Sequence, residues 1–145
     1  MRIAGLSLLL IVAAHLAQAE PVREVAERAN AFRKSKGLAP LAISPVLEAV
    51  ADGHARDMAA RGYFSHKGKD GSTVGRRAKR KGYRYCLIAE NIAQGQNSPA
   101  AVMKSWSASP GHRANMMQPK MREIGVARAP GDTWVMVVGT RMGGC

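Results

Sequence analysis

The stretch that decides the fold reads Trp106-Ser107-Ala108-Ser109-Pro110-Gly111-His112-Arg113-Ala114-Asn115-Met116-Met117. Pro110-Gly111 stops one element and lets the chain turn before the next begins. His112 then stands at the mouth of a short predicted helix, held by backbone on both sides, so that its ring can face a cleft. Just upstream, Ser98-Pro99 is a cap-plus-proline helix start, and Val102, Met103 and Trp106 form the inner face of the helix it opens. Just downstream, residues 123–129 and 133–139 read as strands joined by Pro130-Gly131-Asp132, a hairpin signal. The second run, Trp134-Val135-Met136-Val137-Val138, is nearly all apolar, as suits a strand covered on both faces.

Further back, residues 85–92 are apolar enough for a strand or a buried turn, yet Glu90 sits among them. A buried carboxylate must find donors, a cation or a metal, or else keep its proton. Bonding to local backbone N–H groups is the plainer alternative. Before this comes a short predicted helix capped by Ser72 or Thr73 and ended by Gly82, with Val74 and Ala78 facing inward. Its cations, Arg76, Arg77, Lys79, Arg80 and Lys81, have two readings. The helix dipole favours cations in a last turn, and a cluster of them also makes an anion-binding patch.

Tyr63-Phe64-Ser65-His66 leads from a preceding helix into a polar loop, residues 67–71, and loops held by a scaffold commonly carry function. That preceding helix opens at Ser44-Pro45, runs through Leu47, Val50, Ala51, His54 and Met58, and ends at Gly62. His54 lies on its apolar stripe and is expected to be a core residue bonded to a backbone carbonyl. A first helix over residues 22–36 puts Val22, Val25, Ala26, Ala29 and Phe32 on one face, with Gly37 after its end. His66 and His112 remain as histidines without a packing role.

The 145 residues suit one domain with one core. Residues 1–19 are expected to be a secretory signal peptide: Arg2 is a short positive start, an apolar run follows, and Ala17-Gln18-Ala19 is a cleavage pattern. The apolar run is short of the roughly 20 residues a membrane span needs, and no other stretch approaches that length, so no transmembrane segment is expected. Residues 20–145 then form the single domain. The formal charge is +12, of which the leader holds only Arg2. Such a charge favours anionic partners or keeps a secreted protein soluble. Cys86 and Cys145 are an even pair, which in an oxidising compartment suggests a bridge. They make no metal-binding spacing, and no nucleic-acid module of a named kind is present, so nucleic acid is not an expected partner.

Taken in order, Phe64-Ser65-His66, Ala89-Glu90-Asn91-Ile92-Ala93, Trp106 with Ser109-Pro110-Gly111-His112-Arg113-Ala114-Asn115, and the strands holding Gly125 and Trp134 resemble the CAP superfamily. These are the cysteine-rich secretory, antigen 5 and pathogenesis-related proteins, and the likeness is to the small bacterial secreted branch with a bare domain. The resemblance covers roughly residues 25–140. It implies an α+β fold, a three-layer α-β-α sandwich with a central antiparallel sheet and a large cleft. It also implies that His66 and His112 are the paired histidines that bind a divalent metal, often zinc, in several members, and that Glu90 is the glutamate of the tetrad. The tetrad's second glutamate, in the helix before the second histidine, has no acidic counterpart between Trp106 and Gly111. No shared reaction is established across the family, so fold alone does not give an activity.

Three functions are therefore expected to compete. The first is a secreted binding domain holding zinc or a similar ion on His66 and His112, with Glu90 orienting a histidine or a water and with a small molecule, lipid or peptide in the cleft. The second is a hydrolase of peptide or cell-wall material using metal-activated water or Glu90 as general base. The third is a basic protein that adheres to an anionic envelope surface through residues 76–81.

Overall fold

The computed structural model describes the backbone of residues 5–145 and the side chains of residues 20–145. The leader expected at residues 1–19 lies outside the described side chains, and residues 1–4 outside the described backbone. Among the described residues nine elements follow in order: α1 (Gly5–Ser35), β1 (Ala42–Ile43), α2 (Pro45–Arg61), α3 (Val74–Arg80), β2 (Tyr85–Gln94), α4 (Pro99–Ala108), α5 (Pro110–Met117), β3 (Glu123–Ala129) and β4 (Thr133–Arg141).

Helix starts sit where their caps dictate. Ser44, Thr73 and Ser98 are each extended and accept from the N–H of the third residue on, Leu47, Arg76 and Ala101. Gly62 ends α2 in the left-handed conformation at φ 63°, where a side chain would be strained. One expectation is corrected at the deciding stretch. Pro110 and Gly111 are not a turn between elements but the first turn of α5. Proline's fixed φ and missing N–H suit that position, and Ser109 alone, extended at φ −92° and ψ 120°, makes the break between α4 and α5.

The sheet has the order β1-β3-β4-β2. Its three long strands are antiparallel, as expected; β1 adds a two-residue parallel pairing to β3, Ala42 beside Glu123 and Ile43 beside Ile124, so the sheet is mixed. Alternation along β4 builds two cores. Trp134, Met136 and Val138 face α1, α4 and α5 with Val25, Ala29, Val102, Trp106 and Met116. Val135 and Val137 face α2 and α3 with Leu47, Val50, Met58 and Ala78. The sheet is thus the middle layer of a sandwich. Gly125 lets the start of α2 lie against β3, because a Cβ there would collide with the backbone of Leu47 and Glu48.

β2 is an edge strand, and an open edge invites pairing with another chain. Here side chains close it. Trp106 Nε1 donates to the Ile92 carbonyl at 3.1 Å, and Asn115 Nδ2 donates to the Glu90 carbonyl at 3.3 Å. Cys86 and Cys145 are bridged, with Cα atoms 6.3 Å apart, so the C-terminus is tied to the start of the same strand.

Candidate functional site

The two-residue period of β2 sends Glu90 and Asn91 to opposite faces of the sheet. Glu90 shares its side with Ile88 and Ile92 and points toward α2 and α3; Asn91 points toward α5. The site therefore wraps around one edge of the sheet, with Glu90 on one side and the start of α5 on the other.

The Glu90 side chain is only 2% exposed. Its Oε1 accepts from His66 Nδ1 at 2.9 Å, and its Oε2 accepts from Arg77 Nη2 at 2.7 Å. His54 Nε2 lies 4.0 Å from Oε1 and bonds instead to the Ser65 carbonyl at 2.8 Å. His54 is thus the buried, carbonyl-bonded histidine expected from its stripe, but it also walls the carboxylate. Arg77 Nη1 donates to the carbonyls of His66 and Ser72 at 3.0 and 2.9 Å, which pins the loop bearing His66 against α3. The His66 ring, 58% exposed, is held at one nitrogen by a buried carboxylate. A carboxylate only accepts, so Nδ1 is the donor in that bond and Nε2 is the ring nitrogen left for another partner.

On the other side, Asn91 Nδ2 donates to the His112 carbonyl at 3.1 Å, and Asn115 Nδ2 donates to Asn91 Oδ1 at 2.9 Å. The asparagines lock the first turn of α5 to β2. The half-buried His112 ring tilts against the buried Trp106, centroids 6.5 Å apart, and its Nδ1 is buried without a partner. Burial, and then the nearness of His66, hold the His112 imidazole below the ordinary histidine value. Burial sets the His54 imidazole low as well, against the opposing pull of the Glu90 carboxylate.

His66, Glu90 and His112 are thus gathered around one stretch of strand edge, the first two in direct contact. The basic run is not one surface. Arg77 turns inward to Glu90, and Arg80 pairs with Asp70 at 2.6 Å, whereas Arg76 and Lys79 are exposed. The inward turn of Arg77 was not read from the sequence; the signal present was its place on the helical face of Val74 and Ala78. Asn91 and Asn115 had no role in the sequence; the face switch after Glu90 was the available signal. Among the described residues, no group of three or more His, Cys, Asp or Glu is placed to hold a metal ion. His66 and His112 offer one ring nitrogen each that the described residues leave unbonded, so an ion held by them would need water to complete its shell.

A three-layer α-β-α domain with two histidines anchored around one covered sheet edge is the class the fold and site define. Residues 26–140 match the profile of the cysteine-rich secretory protein family, CAP, and the chain belongs to that family. It is 36% identical over 113 residues to YkwD of Bacillus subtilis, covering 77% of this chain and 44% of that protein. It is 29% identical over 104 residues to the B. subtilis membrane protein YlbC, covering 72% of this chain and 30% of that one. The chain therefore spans less than half the length of either relative. Among solved structures, an extracellular protein containing an SCP domain from Bacillus anthracis superposes with a TM-score of 0.82 at 27% identity, covering 86% of this chain and 41% of that one. An outer surface protein from Borrelia burgdorferi superposes at 0.79 and 25% identity, covering 84% and 93%.

Proposed function

We propose that this chain is a secreted CAP domain that binds a divalent metal, zinc first, on His66 and His112, and presents it to a ligand in the cleft. The reading is carried by one observation: the His66 ring is oriented by a buried carboxylate 2.9 Å away, itself held by Arg77. Carboxylates commonly orient metal-bound imidazoles in this way. The depressed proton affinity of His112 favours the neutral form a metal needs. With two protein ligands the metal would keep positions open for water or a ligand group, and it would supply a Lewis-acid centre there.

Secretion is proposed from the leader pattern and supported by Pro21. That proline lies inside α1, where it removes a backbone bond, but cleavage after Ala19 would leave it in a first turn, where proline is tolerated. The extracellular and outer-surface neighbours agree. A hydrolase using Glu90 as general base has less support, because both carboxylate oxygens are engaged and the side chain is 2% exposed. Isothermal titration with zinc tests the reading. Replacing His66 and His112 by alanine together is expected to weaken zinc binding at least tenfold; unchanged affinity would refute it.

A further inference from the structure

Gly53 sits near the middle of α2, between Pro45 and Arg61, where glycine costs about 1 kcal/mol relative to alanine. Two reasons usually justify a helix-interior glycine, and neither holds. Gly53 is not among the residues with positive φ, and a Cβ built on it meets nothing within 4 Å. Gly75 and Gly125 differ, since a Cβ on either would strike Tyr85 or the α2 backbone. What the missing side chain preserves at Gly53 is open space. Two adjoining cavities, of about 260 and 160 Å³, share Gly53, His54, Arg77 and Arg80 in their walls. Neither is lined by His66 or His112.

We propose that this groove between α2 and α3, floored by Gly53, is a second ligand site that takes a phosphate ester, apart from the His66–His112 cleft. In the smaller cavity Arg77, Arg80 and Lys81 surround a floor of Ala49, Val50 and Gly53. The Arg80 guanidinium and the Lys81 ammonium beside a small floor suit a compact anion with several acceptor oxygens. Arg77 forms a fixed inner wall, its two Nη groups already engaged by Glu90 and the carbonyls of His66 and Ser72, so Arg80 and Lys81 are the cations left to meet an anion. Arg80 is paired with Asp70 where both side chains are about half exposed, at 56% and 51%. An exposed pair of that kind is weak and yields readily to a stronger anion. The larger cavity adds Asp57, Asp70 and Ser72, which offer acceptors and a hydroxyl to the hydroxyl groups of a small body joined to the phosphate. The chain's +12 charge draws anions toward the mouth.

The source of the ester is either a soluble molecule or a lipid headgroup, and two probes separate them. Glycerol phosphate is titrated against labelled protein by NMR, and vesicles containing phosphatidylglycerol are tested by co-sedimentation. Saturable shifts at Ala49, Gly53, Arg80 and Lys81 are expected with glycerol phosphate. Gly53→Leu fills the groove without disturbing the helix, so it is expected to melt no lower than wild type and to bind at least tenfold more weakly. Lys81→Ala, at an exposed position, is expected to weaken binding severalfold. Vesicle binding lost in Gly53→Leu assigns the lipid source, and titration without vesicle binding the soluble one. The variant lacking His66 and His112 is expected to bind the ester normally, which separates this site from the metal reading. Wild-type affinity in Gly53→Leu, or shifts spread without saturation over the basic surface, would overturn the proposal.

Discussion

Glu90 divides its two oxygens between partners from different parts of the chain, His66 from the loop after α2 and Arg77 from α3. Removing one partner of a buried pair leaves the other uncompensated, a loss of about 3–5 kcal/mol. Arg77→Ala is therefore expected to lower the free energy of unfolding by about 3 kcal/mol, read from urea denaturation; a change below about 1 kcal/mol would mean water satisfies Glu90. The buried His54 and half-buried His112 give the domain a pH profile. His54 and His112 bind protons less readily in the fold than at the ordinary value of 6.5. The unfolded chain then takes up more protons, so stability is full above that value and falls as pH drops through it toward the lower folded values. Metal-free protein is expected to melt at a lower temperature at pH 5.5 than at pH 7.5, and His54→Gln to flatten the difference. Asp70 does not confuse the window, because its carboxyl, bonded to Ser72 and Arg80, titrates below the usual carboxylate range. His54 was readable from its place on an apolar stripe, and Glu90 from its place in an apolar run. Arg77 looked like one cation among five, since its partner lies thirteen residues away and only the folded chain joins them.

At the scale of elements, local chemistry fixed most boundaries. Ser44, Thr73 and Ser98 cap their helices through the side chains the sequence offered. Ser98→Ala is expected to cost about 1 kcal/mol of stability in thermal or urea melts. Three features escaped local reading. β1 is two residues long and exists only because β3 offers an edge, a contact across some eighty positions of sequence. Pro110-Gly111 carries a turn signature, but proline fits a first helical turn equally well, and the chain used it so. Gly125 was seen only as a strand residue; its need arises from α2 lying on it. Gly125→Ala forces that helix away and is expected to cost about 2–3 kcal/mol, measured by denaturant midpoint, with a near-neutral result contradicting the close packing.

Across the whole molecule, the site is an outcome of layering. The edge strand β2 exposes one face to α2 and α3 and the other to α5, so residues adjacent in sequence, Glu90 and Asn91, anchor the two histidines from opposite sides. The bridge from Cys86 to Cys145 closes a long stretch, 59 residues in separation, and holds the start of that strand. The two imidazoles of this scaffold, on His66 and His112, are proposed to share one metal ion. A crystal grown with zinc and measured at the zinc edge tests it most directly. An anomalous peak within coordination distance of His66 Nε2 and a nitrogen of His112 is expected; a peak bound elsewhere, or the two rings facing apart with zinc absent from both, would contradict a shared ion.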